Sequence, residues 1–323
     1  MADTQERAVR ILAIPAMLFA GGLVAVQAQI SGHLADALGT GMRAGFAVVV
    51  ITGGSALAVV SVATATQPSG RAGVKRMAAG IRSGHLKPIE LGSGAFGALF
   101  VATQGLTVGI LGVALFSVGA TAGQAAGGLW ADRVGLGPSG RQPLSVPRAI
   151  AALFAVVAVL LAAGERLAAS FTWLGLSLIA LPVLAGIGTS IQQGLNGRLS
   201  AIGGPWATTI LNFAVGTALV TVVWAGSFAA PGHLVGLPSQ PWLYAGGAVG
   251  VAYIWLAAVL VRVHGVLVLA LSMIAGHVTC AEVLELLSED PHVGALGVAA
   301  GVLTVVGVAL AVLWKRPTAQ LNQ

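Results

Sequence analysis

Two long stretches of this chain contain no acidic side chain: Ala37 to Ile89 and Leu167 to Cys280. A soluble domain carries about a quarter charged residues and needs both signs on its surface. Here only 8% of residues are charged and 57% are hydrophobic. The apolar segments are long and continuous, which excludes a transmembrane β-barrel with its alternating strands of about ten residues. With no water in a bilayer core, each spanning segment must satisfy its own backbone, and helices are the remaining solution. The chain reads as an all-α integral membrane protein.

Apolar periodicity gives ten candidate helices, at roughly 11–35, 43–66, 91–107, 110–131, 147–164, 172–199, 205–227, 241–261, 264–286 and 293–314. Each approaches the roughly 20 apolar residues that cross about 30 Å of hydrocarbon. The third and fourth are joined so tightly around Gly105 to Gly109 that they read almost as one. The head, Met1 to Arg10, is polar and the run behind it is long enough to span, so no cleavable signal peptide is expected.

Charge then orients the spans. With a cytoplasmic N-terminus, the loop after helix 2 carries Arg71, Lys75, Arg76, Arg82 and Lys87 on the inside. Arg133, Arg141, Arg148, Arg198, Arg262, Lys315 and Arg316 fall on the same side. The other side holds the charge-free loop Gly226 to Pro241 and the acidic corner Glu282, Glu285, Glu289 and Asp290. Arg43 and Arg166 are the exceptions. This bias places both termini in the cytoplasm. It also accounts for the net charge of +6 without nucleic-acid binding. A single cysteine, Cys280, rules out an internal disulfide and a cysteine metal cluster.

A polar phrase inside the apolar background occurs twice. "GGLVAVQAQISGHLA" (Gly21 to Ala35) matches "GIGTSIQQGLNGRLS" (Gly186 to Ser200). Gln27 pairs with Gln192, Ser31 with Asn196, Gly32 with Gly197 and His33 with Arg198. "GGSALA" (Gly53 to Ala58) echoes "VGTALV" (Val215 to Val220), and a second ungapped block pairs Gly97 with Gly250, Gly112 with Gly265, Gln124 with His277 and Asp132 with Glu285. The halves, 1–166 and 167–323, are thus five helices each. Five is odd, so the second half enters the membrane from the opposite side, making two inverted five-helix repeats as in many secondary transporters. Chance similarity among glycine-rich helices is the competing explanation, and the paired polar positions weigh against it.

Two five-helix halves, each opening with a glycine-rich helix ending in Gln…Asn/Ser-Gly-x-Leu, resemble the drug/metabolite transporter superfamily. The resemblance is to its small EamA-like branch of YdcZ type, in a fused two-repeat form. "QAQISGHL" and "QQGLNGRL" resemble that branch's first-helix motif, and "AGQAAGGLWADRVGL" (Ala122 to Leu136) resembles its fourth-helix motif. The second half departs with His277 in place of glutamine and Glu285 in place of aspartate, and the first with Ser31 in place of asparagine.

An amide in hydrocarbon costs several kcal/mol unless paired, so the glutamines should face the bundle interior or a wet cavity. Gln27 and Gln192 are the first candidates for hydrogen bonding a polar substrate, with interhelical glue as the structural alternative. Ser31 and Asn196 follow four residues later on the same helical faces, and Asn212 is a further interior amide. Gln124 and His277, at equivalent places in helices 4 and 9, are second-choice contacts. Trp255, Tyr253, Trp206 and Trp224 are candidates to stack on a ring-bearing substrate, with lipid-facing packing as the favoured alternative. His277, deep within a span, and Glu282, the acid nearest to burial, are the candidate proton sites. Gln29 and Gln193 are read as structural, and Arg198 as snorkelling to the interface. Trp130, Trp173, Trp242 and Trp314 are read as interfacial anchors.

No catalytic set, metal-ligand cluster or nucleotide loop stands out. The expectation is a secondary-active transporter of a small polar metabolite or drug-like compound in the cell membrane, without a cofactor. Coupling to H+ or Na+, and monomer or homodimer, stay open. A non-transporting scaffold and a flippase of a lipid-linked substrate are the alternatives.

Overall fold

The computed structural model describes residues 2–169, 177–229, 232–287 and 295–313. Among these, helices dominate. α1 (Ala2–Leu38) and α2 (Gly41–Thr66) are joined by a two-residue strand, β1 (Gly39–Thr40). β1 pairs antiparallel with β2 (Gly232–Leu234), Gly39 opposite Leu234 and Thr40 opposite His233. Nothing in the sequence analysis anticipates this ribbon. It also accounts for Arg43, one exception to the charge bias, whose guanidinium lies 4.7 Å from the Phe228 ring centroid and donates to the Phe228 carbonyl at 3.2 Å.

α3 (Pro68–Arg82) occupies what the sequence reading took for a basic loop. Proline opens it, at the position where a missing N–H costs nothing. A short α4 (Pro88–Leu91) follows, then α5 (Gly94–Val134), α6 (Val146–Ala169) and α7 (Ala180–Gly226). α8 (Gly246–His264) is preceded by a 3₁₀ turn at Pro241–Tyr244, and a single residue, Gly265, separates it from α9 (Val266–Leu286). α10 (Ala295–Leu313) closes the described chain and packs on α6.

α5 and α7 each hold two of the expected helices. In α7 the break is explicit: Gly204, at φ 80° and ψ 167°, turns the chain ahead of Pro205. That backbone conformation is one only glycine adopts readily. α5 shows no such marked residue, yet the Phe100 and Phe116 rings lie 5.4 Å apart. Sixteen residues of straight helix would separate them by about 24 Å. The chain therefore doubles back between Phe100 and Phe116, as the close join at Gly105 to Gly109 suggested. Consistently, Phe96 and Gly127 both pack beside residues 187–188 of α7.

Large apolar side chains point outward, among them Phe19, Val62, Val222 and Val302. Five helical stretches among the described residues are long and apolar enough to cross a membrane: Leu12–Leu38, Gly41–Thr66, Ala180–Ala229, Pro241–His264 and Val266–Leu286. Trp130 and Trp242 are about half exposed, as anchors would be. Trp173, Glu289, Asp290, Trp314, Lys315 and Arg316 lie outside the described residues, as do the side chains of Glu165 and Arg166.

The two halves repeat each other's packing. A methyl on Gly21 of α1 would strike the Met273 carbonyl of α9, and one on Gly276 would strike that of Leu18. In the same way Gly186 of α7 meets the Ala120 carbonyl of α5, and Gly123 meets that of Val183. All four partners stand at the same sequence offsets as the glycines they oppose. The backbones touch directly, as small residues permit between membrane helices. Further along, Gly94 lies on the Asn212 carbonyl and the Gly216 amide, while Gly247 lies on the Thr52 carbonyl and the Ala56 amide. Thr52 and Ala56 thus take the places of Asn212 and Gly216. This corrects the echo of Gly53–Ala58 with Val215–Val220, which is out of register by two residues.

Candidate functional site

Gln192 and Asn196 lie four residues apart on the first limb of α7, and Asn212 lies on the returning limb. The Gly204 turn, eight residues from each asparagine, brings them level. Gln192 Nε2 donates to Asn212 Oδ1 at 3.1 Å, and Asn212 Nδ2 donates to Asn196 Oδ1 at 3.1 Å. All three side chains are buried. The chain of amides leaves an acceptor at one end, Gln192 Oε1, and a donor at the other, Asn196 Nδ2. Neither has a protein partner among the described residues.

Gln27 stands at the equivalent place in α1. Its amide lies against Gly250 of α8, where a methyl would come within 2.9 Å of Nε2 and 3.3 Å of the Phe213 ring. Gln192 in turn lies against Gly97 of α5, where a methyl would come within 3.1 Å of its Nε2. Gly97 and Gly250 are themselves a matched pair, so each glutamine rests on the other repeat's glycine. The equivalence ends there. Gln27 and Ser31 are only half-buried, and Gln27 makes no hydrogen bond among the described residues. Thr52 holds the place of Asn212 with a side chain too short to bridge the two.

The remaining candidates are not drawn into the amide chain. Gln124 and His277 are half-buried on α5 and α9, and neither side chain has a hydrogen-bond partner among the described residues. It is the main-chain carbonyl of Gln124 that accepts from Ser190 Oγ, at 2.7 Å. Glu282 is half-buried and lies five residues beyond His277, about 140° around the helix, so the two proton candidates face different ways. Trp255 packs against Trp206 with ring centroids 5.6 Å apart, and its Nε1 is buried without a partner. Gln193 reaches Met273 Sδ at 3.8 Å, in keeping with a structural part. Arg198 pairs with buried Glu90 at 2.9 Å, a tie at the end of the helix. A pocket of about 210 Å³ under the ribbon, lined by Leu38, Ile51 and Trp224, takes in Trp224 alone of the sequence candidates.

Sequence reasoning pairs Asp132 with Glu285 and assigns it no task. The structure buries it and sets it across the junction of the halves. Its carboxylate accepts from the Val266 amide at 2.8 Å and the Leu267 amide at 3.0 Å, and it is paired with Arg148. It caps the first turn of α9, where unsatisfied N–H groups and the helix dipole favour an anion. The available signal was Gly265, which at φ 90° starts α9 with no residue able to cap it. Glu285, the repeat-related acid, is exposed on the last turn of α9.

Together these features provide a neutral hydrogen-bonding centre between the repeats and a charged fastening at one end. Two comparisons bear on what they serve. The family model described as "Putative inner membrane exporter, YdcZ" matches the chain twice, over residues 12–161 and again over 177–311. No curated protein matches it.

Proposed function

The chain belongs to the YdcZ-type inner membrane exporter family, as two copies of its unit in one polypeptide, and from that premise we propose that it exports a small polar solute by alternating access. In this reading the two repeats are five spans each and of opposite topology. The end bearing α3, the Gly204 turn and Asp132 faces the cytoplasm. The ribbon faces outward. Inverted repeats exchange conformations as access passes from one side to the other.

The observation that carries this reading is the unequal state of two equivalent glutamines. Gln192 is tied into the amide chain, while Gln27 is free of it. An alternating mechanism requires matched elements that are unmatched in any one state. The chemistry of the centre, neutral amides with an open acceptor at Gln192 Oε1 and unused N–H donors, suits a neutral or zwitterionic solute. A lone charge would lack a counter-ion there, at heavy cost in a low dielectric. In this reading Asp132, held by Arg148, fastens the cytoplasmic end of the first repeat to the start of α9 in the second.

Thermal unfolding of the purified protein against a metabolite library tests the proposal. A ligand at a hundredfold excess over Kd stabilises the folded state by about 2.7 kcal/mol. The stabilisation should vanish in a Gln27→Ala/Gln192→Ala variant that still folds. Hits that survive in that variant would move the site elsewhere.

A further inference from the structure

α3 carries a face that no described part of the chain covers. Gly70, Gly73, Met77 and Gly80 form its buried stripe, and they press the helix onto the end of α2 and the Gly203–Ala207 turn of α7. Two of its arginines are spent on this seating. Arg71 donates to the Ala65 carbonyl at 2.6 Å and the Thr66 carbonyl at 3.3 Å, capping the C-terminus of α2. Arg76 Nε donates to the Ile202 carbonyl at 3.0 Å, at the end of α7's first limb. Cations there satisfy orphan carbonyls and complement the helix dipole.

The side chains left over are of one kind. Val74 and Ile81, seven residues apart and so on one stripe, are exposed beside the buried face. Lys75 and Arg82 share the next stripe, and Lys87 follows in the turn to α4. Lys87 stands at the start of α4, where it closes a capping box with Glu90 and its backbone N–H donates to the Glu90 carboxylate at 2.9 Å, while Lys75 and Arg82 have no protein partner among the described residues. Nor is any acid present in the sequence between Ala37 and Ile89 to neutralise them. An apolar edge bordered by unpaired cations, set at the ends of membrane helices, is the pattern of an interfacial amphipathic helix.

We propose that α3 is a binding surface for anionic phospholipid, with Val74 and Ile81 in the acyl boundary and Lys75, Arg82 and Lys87 on headgroup phosphates. Phosphates fit because Lys75 and Arg82, unpaired on one stripe with the exposed Lys87 close by, call for anionic oxygens. A lipid supplies them where the apolar edge is also covered. Arg71 and Arg76 hold the platform in place but do not contact lipid.

Purified full-length protein exchanged into mixed phosphatidylglycerol/phosphatidylcholine micelles and examined by native mass spectrometry tests this. The wild type should retain phosphatidylglycerol several-fold over phosphatidylcholine. A Lys75→Gln/Arg82→Gln/Lys87→Gln variant should lose most of that preference. An Arg133→Gln/Arg141→Gln variant, with similar charge removed elsewhere, should keep it. Equal retention in all three proteins, or equal loss in both variants, overturns the proposal. Because the triple variant alters only exposed side chains, its unfolding temperature in detergent without phosphatidylglycerol should match the wild type.

Discussion

The two repeats agree where backbones touch and disagree where side chains are polar. Gly21 against Met273 and Gly186 against Ala120 are the same contact made twice. Gln192–Asn212–Asn196 and Gln27–Thr52–Ser31 occupy the same positions, yet one is a buried hydrogen-bonded chain and the other is not. Close packing tolerates little change, because a methyl at a backbone contact has nowhere to go. Polar side chains outside those backbone contacts are under no such packing constraint, and there the halves are free to differ.

The largest test of this contrast sets Asp132 against Glu285. Removing one partner of a buried ion pair typically costs about 3–5 kcal/mol, so Asp132→Ala should lower unfolding stability by that amount. Glu285→Ala, at an exposed position, should cost under about 1 kcal/mol. Equal losses in denaturant melts would show that both ends are fastened alike. Next come the glycines. Gly21→Val and Gly186→Val should each destabilise by about 1–3 kcal/mol through overpacking, and by the same amount. A clear inequality would break the repeat in packing.

Asn212→Ala orphans two amide partners, and interhelical hydrogen bonds in membranes are worth about 0.6 kcal/mol on average. A loss of about 1–2 kcal/mol is expected in the same melts, against about 0.5 kcal/mol or less for Thr52→Ala. The smallest structural effect belongs to Gln27→Ala. Its unfolding should be unchanged within about 0.5 kcal/mol, while transport into proteoliposomes falls at least about tenfold, a difference of about 1.4 kcal/mol in transition-state binding. Lost stability with intact transport would make Gln27 glue.

Much of the architecture was legible because membrane helices announce themselves by length and apolarity. The repeat was legible through Gln27/Gln192 and Gly97/Gly250, where rare polar residues or fixed contacts mark the register. Between Gly53–Ala58 and Val215–Val220 only small apolar residues were available to align, and these match at many offsets. The register slipped by two for that reason. α3 was hidden because its buried stripe is mostly glycine, which carries no hydropathy signal. Asp132 was hidden because capping is a property of the chain it meets, more than a hundred residues away. The turn inside α5 was legible from composition and the break in α7 from Gly204-Pro205.

The ribbon of β1 and β2 is small, but it stitches the first hairpin of one repeat to the loop that leads into α8 of the other. Val235 adds a further bond to the Leu38 carbonyl at 2.9 Å. Mechanically this is a tether with a fixed length. Any displacement that separates the repeats at that end must either rotate about the tether or rupture its hydrogen bonds together. Rotation keeps those bonds, so under the proposed alternating mechanism the ribbon limits how far the repeats part at that end and sets the axis about which they do.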